Sequence, residues 1–220
     1  VLGFEIEKET LLAMREKKEL LFLIAPERIY SEMTKLLSGR YAAKALKEAD
    51  ILPFGIVPVR KPFEKRTDAE TADAPLSYAL FLSGAKERAE SFFESLRADK
   101  KTAREALKTL ETPLPGDETA MRFCLSENEP GTIRRVISYN YLTGKISSRE
   151  PYLALLSSAG EKCCKISDLC VTGRDIIKAG LSGEKVGGAL SFLLREVILG
   201  RVENEKTSLT AHLEGKFTHI

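Results

Sequence analysis

The 220-residue sequence contains no tryptophan, only two histidines and four cysteines, and no Asp-x-Asp or Gly-Ser step. No apolar run approaches the ~20 residues that a membrane-spanning helix needs. Cys163 and Cys164 are adjacent, and His212 and His219 stand alone near the C-terminus, so no Cys/His spacing typical of a zinc site is present. These features favour a cytoplasmic protein with reduced thiols, no metal site and no membrane segment.

Patterns that predict β-strands are short and scarce in this sequence, whereas helical periodicity is widespread. The clearest case is the segment 26–37. Pro26 suits the first turn of a helix, and Ile29, Met33 and Leu37 recur at the spacing of one apolar face. The expected fold class is therefore all-α, an elongated array of small helical lobes. Further helices are predicted at 7–19, 74–82, 86–96, 102–110, 117–126, 132–142 and 150–156.

The net charge is only +2, but the charges are unevenly distributed. Residues 28–66 contain nine basic and four acidic side chains, and residues 122–149 contain five basic and two acidic ones. Such clusters can follow a phosphate backbone without reading bases. Within the second cluster, Tyr139 and Tyr141 with Arg134 and Arg135 could stack on and clamp RNA, whereas their helical spacing favours core packing of one tyrosine and exposure of the other. An ordinary solvated surface also explains the charges, so both interpretations stay open.

The most informative segment is 166–190, which has the pattern of two short helices joined by a glycine-rich turn. Thr172 is suited to cap the first helix, and Gly180 is suited to end it in the left-handed conformation. Ser182 is suited to cap the second helix, which is expected at about 183–199. A helical hairpin of this kind can serve stability alone.

The start of the second helix also has the features of an anion site. Its first backbone N–H groups, beginning at Gly183, have no helical acceptors and attract negative charge. The Gly187-Gly188 pair lacks side chains, so another backbone can come close there. We therefore expect the hairpin to contact RNA phosphates without reading bases. The residues expected to do so are Arg174, Lys178, Gly183 and Lys185.

The same segment resembles the tail of bacterial CCA-adding enzymes, the tRNA nucleotidyltransferases related to bacterial poly(A) polymerases. The shared pattern is an acidic-Leu pair at Asp168, Gly-x-Asp at Gly173, and Gly-x-x-Val-Gly at Gly183 before a long amphipathic helix. A Gly-x-Val-x-Asn segment follows at Gly200, as is typical of that tail. The helix before it should therefore be amphipathic and well packed.

A second match lies at the other end of the chain, where residues 2–11 and 24–37 are similar to the neck of the same family. The motif Glu-Arg-Ile-x-x-Glu-x-x-Lys occupies the second of these segments. The resemblance implies that this helix braces an active site, whereas the residues alone also suit a surface ladder of salt bridges. The motif's polar residues are Glu27, Arg28, Glu32 and Lys35.

The resemblance further implies three parts: a partial neck at 1–58, a helical body at 59–158 and a tail at 159–220. In the family, catalysis belongs to an N-terminal head domain with a Gly-Ser loop and paired carboxylates that hold Mg²⁺ for phosphoryl transfer. That signature is absent here. We therefore expect no catalytic residue and no cofactor in this chain. Mg²⁺ with CTP or ATP would belong to a preceding head domain, and the chain alone should not incorporate nucleotides.

The function implied by the resemblance is tRNA binding within an enzyme that adds C, C and A to tRNA 3′ ends from CTP and ATP. The body would lie against the acceptor and T arms, and the tail near the T loop. The partners are then tRNA and the head domain, in the cytoplasm. Two alternatives stay open. One is part of a poly(A) polymerase relative, and the other is a non-catalytic helical RNA-binding or scaffold protein.

Overall fold

The computed structural model describes residues 3–217, and every regular element in that range is a helix. The predicted all-α fold class is therefore confirmed. None of the described helices is long and apolar enough to cross a membrane. The α-helices of the described range are α1 (Lys8–Glu16), α2 (Pro26–Leu37), α3 (Ala42–Ala45), α4 (Lys61–Glu64), α5 (Asp68–Ala72), α6 (Ala74–Phe81), α7 (Ala89–Ser95), α8 (Lys100–Glu111), α9 (Glu118–Glu127), α10 (Pro130–Leu142), α11 (Glu150–Gly160), α12 (Gly173–Lys178), α13 (Glu184–Ile198) and α14 (Lys206–Phe217). Short 3-10 helices lie at Lys18–Leu23, Leu46–Ile51, Lys86–Arg88 and Ile166–Asp168.

The chain divides into two compact units. Within the described range, the first unit contains residues 3–114 and 134–149, and the second contains residues 115–133 and those from 150 onward. The division into neck, body and tail that the family resemblance implies stays a prediction.

Helix α6 forms the centre of the first unit's core. Every side chain from Leu76 to Phe81 is at most 1% exposed. A helix that is buried around its whole circumference must be packed on all sides, and here α2, α5 and α8 surround it. Tyr78 stacks on Tyr30 with 5.6 Å between ring centroids, and its hydroxyl donates to the Tyr30 carbonyl at 3.2 Å. Burial raises the pKa of the Tyr78 phenol, which therefore stays protonated and keeps this donor.

Asp73 fixes the start of α6 and also joins α6 to α10. Its Oδ1 accepts the Leu76 backbone N–H at 2.9 Å, which is an N-cap interaction. The Asp73 carboxylate also accepts from Arg135 Nε at 2.8 Å, and Arg135 Nη1 donates to Glu105 at 2.9 Å. One guanidinium group thus links α6, α8 and α10 within the first unit.

The segment 4–24 is held in a different way, because no side chain of α1 is buried. Arg15 anchors α1 through ion pairs with Glu48 at 2.7 Å and with Asp50 at 2.6 Å. Large apolar side chains along this segment stay exposed, and we call them the apolar N-terminal surface. Its members are Phe4, Ile6, Leu12, Met14, Leu20, Phe22, Leu23 and Ile24.

The second unit is built around α13, whose apolar face packs with α12 and α14 around buried side chains such as Leu193 and Leu209. Arg122 of α9 is 9% exposed and donates to several carbonyl groups. Its Nη2 donates to Cys163 O at 2.8 Å, and its Nη1 donates to Ile198 O at 3.2 Å. This guanidinium group therefore joins α9 to the C-terminal end of α13.

The Gly-x-Val-x-Asn segment has a clear structural role in the second unit. Gly200 follows α13 with a φ of +70°, which favours glycine. Asn204 Nδ2 donates to Asp168 O at 2.9 Å, and Asn204 Oδ1 accepts the Cys170 N–H at 2.9 Å. The asparagine thus fixes the extended chain that leads into α12.

Candidate nucleic-acid interface

Helices α12 and α13 form the hairpin predicted within residues 166–190. Thr172 and Asp175 make a capping box, in which the Thr172 N–H and hydroxyl donate to Asp175 Oδ2 at 2.9 and 2.8 Å. Gly180 follows α12 with a φ of +93°. Both predicted ends of this helix are therefore confirmed. Lys206 at the start of α14 donates to Asp175 Oδ1 at 2.6 Å and, with the Thr172 donors, holds the pKa of Asp175 well below its usual range.

The start of α13 differs from the prediction. Gly183, not Ser182, is the N-cap residue, and no side chain caps the helix. Gly183 has a φ of +62° and a ψ of −138°, a conformation that other residues adopt only with strain. The N–H of Val186 donates to Gly183 O at 3.2 Å, while the N–H groups before it lie in the turn where helices lack internal acceptors. The open helix start predicted from the sequence is therefore present, with a different cap.

The three cationic residues expected in the hairpin are all exposed. Arg174, Lys178 and Lys185 form no ion pair with any part of the chain between residues 3 and 217. A Cβ added to Gly173 would lie 3.4 Å from Val186 Cγ1, so the starts of α12 and α13 are in contact. Arg174 and Lys185 are the neighbours of these two residues in the chain. The hairpin thus combines unpaired cations with an exposed helix N-terminus.

The Gly187-Gly188 pair does not serve close packing within the protein. Both residues are exposed, and no heavy atom lies within 4 Å of the position of an added Cβ at either one. No other segment of the described chain approaches these glycines, so the close approach of another backbone stays a prediction. The first two turns of α13 instead present a surface without side chains at these positions.

The helix carrying the Glu-Arg-Ile motif is α2, and it forms over the predicted residues 26–37. Its polar motif residues are all exposed. Glu27 pairs with Arg97 at 2.9 Å, and Glu32 pairs with Lys35 at 2.8 Å, whereas Arg28 pairs with no carboxylate of residues 3–217. The salt-bridge ladder is thus partly present, and bracing of an active site stays a prediction.

Most basic side chains of the cluster at 122–149 form contacts within the protein. Arg122 is buried against carbonyl groups, and Arg135 is held between two carboxylates. Arg149 pairs with Glu70 at 2.6 Å. Tyr139 is only 2% exposed, which confirms the favoured interpretation that one tyrosine packs in the core. Tyr141 is partly buried against that core and is not fully exposed. The sequence could not reveal these roles, because the partners lie 30 or more residues away in the chain.

The basic segment 28–66 has a more specific arrangement. Four of its cations line one groove of about 520 Å³ in the first unit, which we call the cationic groove. Tyr41 and Phe63 contribute aromatic surface to it, and Glu64 and Asp68 contribute carboxylates. The local excess of positive charge in the sequence was the signal for this site, although it did not show which cations come together. The cations are Arg40, Lys44, Lys47 and Arg66.

The cysteines are free thiols in this structure. Cys164 is buried and its thiol donates to Ala159 O at 3.1 Å, while burial raises the pKa of Cys163 to about 11. Among residues 3–217 there is no group of three His, Cys, Asp or Glu side chains that could hold a metal ion. His212 pairs with Glu196 at 3.3 Å, and His219 lies outside the described residues.

Comparisons with known proteins match both ends of the chain and its fold. Residues 3–51 match a family model described as the probable RNA and SrmB-binding site of polymerase A. Residues 155–213 match a model described as tRNA nucleotidyltransferase domain 2, putative. No curated protein sequence shows a significant match.

Among solved structures, the chain is similar to the Bacillus stearothermophilus CCA-adding enzyme in complex with CTP. The TM-score is 0.77 at 23% sequence identity, and the match covers 99% of this chain. The chain spans 59% of the length of that enzyme. The resemblance detected from the two sequence motifs is thus confirmed by two family models and by the fold. The chain thus matches one of these family models near each end and shares the fold of this CCA-adding enzyme.

Proposed function

We propose that this chain is the tRNA-binding part of an enzyme that adds C, C and A to tRNA 3′ ends from CTP and ATP. The observation that carries the proposal is the order of the two family matches along this chain. An RNA-binding region of polymerase A matches at residues 3–51, and a tRNA nucleotidyltransferase domain matches at 155–213. A CCA-adding enzyme has the same fold over nearly the whole chain. Since its substrate is tRNA, we expect the protein in the cytoplasm.

In this proposal the tail hairpin binds the tRNA backbone near the T loop. Arg174, Lys178 and Lys185 supply point charges, and the N-terminus of α13 at Gly183 supplies unpaired N–H donors and partial positive charge. Their exposure and their freedom from ion pairs within residues 3–217 support this role. Contacts of this kind position RNA without reading its bases. An enzyme that acts on every tRNA requires such sequence-independent binding.

We further propose that a catalytic domain of the full-length protein packs against the apolar N-terminal surface. Soluble proteins rarely leave large apolar surfaces open, and the many exposed apolar side chains of this one segment, such as Phe22 and Leu23, support a protein contact. The CCA-adding enzyme of matching fold has a chain that extends well beyond the matched part. The polar motif residues Glu27 and Arg28 of α2 would lie beside that contact.

Mg²⁺ and the nucleotides would be held by that catalytic domain. Residues 3–217 do not fit this role, because they contain no cluster of carboxylates or other ligands that could hold a metal ion. No catalytic step is therefore assigned to this chain. Its contribution is to hold tRNA in position, which lowers the entropic cost of bringing the 3′ end to a reacting nucleotide.

A poly(A) polymerase relative is the second candidate, because the family model at residues 3–51 is named for polymerase A. The two candidates share the RNA-binding surfaces and differ in the product of the full-length enzyme. Incubation of that enzyme with tRNA lacking its 3′ end, CTP and ATP distinguishes them. Addition of three nucleotides supports the first candidate, and a long adenylate tail supports the second.

The binding proposal can be tested on the chain itself by fluorescence anisotropy with labelled tRNA over a range of salt concentrations. Changing Arg174 and Lys185 together to Ala should weaken binding and reduce the slope of log K against log salt by about two. The matched control is Lys100→Ala with Lys101→Ala, which removes two exposed cations from the start of α8. If the hairpin variant binds like this control, the hairpin is only structural.

A further inference from the structure

Arg97 occupies a backbone position at which helices favour glycine. Among the non-glycine residues of the described range 3–217, it alone has a positive φ, +47°. The Arg97 N–H donates to Glu94 O at 3.0 Å, and the Ala98 N–H donates to Phe93 O at 3.0 Å. These two bonds form the Schellman motif that ends α7, and its left-handed residue is usually glycine because a Cβ causes strain there.

The neighbouring elements fix this left-handed conformation. Asp99 caps the next helix, α8, because its Oδ2 accepts the Thr102 N–H at 2.9 Å. Only Arg97 and Ala98 lie between the C-cap of α7 and this N-cap, so the turn between the helices has little freedom. Glycine would fit this turn without strain. The presence of an arginine therefore requires a reason that lies in its side chain.

The side chain of Arg97 forms an ion pair with α2. Its Nη1 donates to Glu27 Oε1 at 2.9 Å, and the two side chains are 70% and 53% exposed. An exposed ion pair contributes little to stability because water and salt screen it, so it does not outweigh the strain of the backbone. Stability alone therefore does not account for an arginine at this position.

The pair with Arg97 holds the start of α2. Ala25 is the N-cap residue of this helix, and no side chain caps it. The backbone N–H of Glu27 and the Arg97 guanidinium lower the pKa of the Glu27 carboxyl, so a negative charge is kept where the helix dipole favours it. Leu23 and Ile24 of the apolar N-terminal surface come directly before this helix start. The ion pair therefore lies at the junction between that surface and α2.

We propose that Arg97 is a positioning residue of the full-length enzyme, which holds Glu27 and the start of α2 in place for contact with the catalytic domain. This role rests on the proposed function, which assigns the apolar N-terminal surface to that domain. Arg97 lies outside both family matches, at residues 3–51 and 155–213. It acts through Glu27 and is not a catalytic residue.

The first test is Arg97→Gly in the full-length protein. Glycine adopts the left-handed conformation without strain, so the melting temperature should not fall. The kcat of nucleotide addition should fall on the order of fivefold because the catalytic domain is less well placed. The KM for tRNA should stay the same, since the proposed tRNA-binding hairpin is unchanged. Arg97→Lys keeps a cation at this position and should recover most of the rate.

The second test asks whether Arg97 acts through Glu27. Glu27→Gln should lower kcat by the same factor, and the double variant with Arg97→Gly should lower it no further. The matched control is Glu118→Gln. Glu118 is also a first-turn glutamate in an exposed ion pair, with Lys162 at 2.6 Å, but it belongs to the second unit. This control should leave kcat unchanged.

Hydrogen exchange of the full-length protein gives a readout that does not depend on activity. Arg97→Gly should accelerate exchange of the amides in residues 18–27, and Glu118→Gln should not. Unchanged exchange or unchanged kcat in Arg97→Gly overturns the positioning role, and so does a fall in melting temperature that accompanies the loss of rate. If exchange changes as expected but the wild-type protein adds no nucleotides, the positioning role stands and the proposed function fails.

Discussion

Helix α6 and the segment 4–24 belong to the same unit but are held by opposite means. The helix is stabilised by burial, with each side chain from Leu76 to Phe81 at most 1% exposed. The segment 4–24 is anchored by the ion pairs of Arg15 and leaves Leu23 at 83% exposure. Apolar residues are abundant in both. The difference separates a part of the chain that completes its own core from a part that leaves its apolar side chains exposed.

The largest effect is expected from Phe81→Ala in α6. Removing a fully buried ring creates a cavity and should lower the free energy of unfolding by about 3–5 kcal/mol. Leu23→Ala removes a side chain of comparable hydrophobicity from an exposed position and should change it by less than about 0.5 kcal/mol. Chemical denaturation of both variants measures the comparison. Equal losses would mean that the segment 4–24 is packed.

The second expected effect concerns association. Phe22→Ser with Leu23→Ser should reduce self-association and dye binding of this chain without lowering its melting temperature, because neither residue is buried. If the proposed catalytic domain packs on this surface, the same changes in the full-length protein should also lower nucleotide addition. Sedimentation velocity, dye fluorescence and thermal melting provide the readouts. A clear loss of stability in the isolated chain would contradict an unpartnered surface.

The ends of the helices show what the sequence can and cannot reveal about this fold. The ends of α2 follow from Pro26 and from the apolar spacing after it, and the ends of α12 follow from Thr172 and Gly180, because these signals are local. The short helices α3, α4 and α5 were not predicted, since four or five residues carry no periodicity that can be recognised.

The candidate sites were predictable only where their signals are local. The hairpin cations and the open helix start could be found, whereas the cap at Gly183 could not, because Ser182 has the better capping side chain. The groove depends on Arg66 meeting the turns around α3, and that contact is long-range in sequence. The charge clusters in the sequence also suggested more cations available for RNA than the structure has, because Arg122 donates to carbonyl groups of the protein.

A smaller effect is expected from Arg15→Gln, which removes the anchor of α1. Backbone amides of α1 should exchange hydrogen faster, whereas amides of α6 should be unaffected, because the ion pairs hold only the former. Hydrogen exchange followed by mass spectrometry resolves the two helices. Unchanged exchange in α1 would show that Arg15 does not anchor it.

The smallest effect is the pH dependence that Asp175 gives to the hairpin. The folded pKa of Asp175 is lowered, chiefly by the Lys206 donor, so its contribution to stability is present above the ordinary aspartate pKa of about 4 and is lost as the pH falls below it. The protection factors of the α12 amides, which correct for the slower intrinsic exchange at low pH, should therefore fall below about pH 4. Asp175→Asn should remove that pH dependence, and exchange in α6 should not show it.

The most direct test of the account is hydroxyl-radical footprinting of tRNA bound to the chain. Because the proposed contacts are to the backbone, protection should appear along the acceptor stem and T arm, and it should be the same for tRNAs of different sequence. The Arg174 and Lys185 double variant should lose protection near the T loop and keep it elsewhere. Protection of the anticodon arm, or protection that changes with tRNA sequence, would contradict the account.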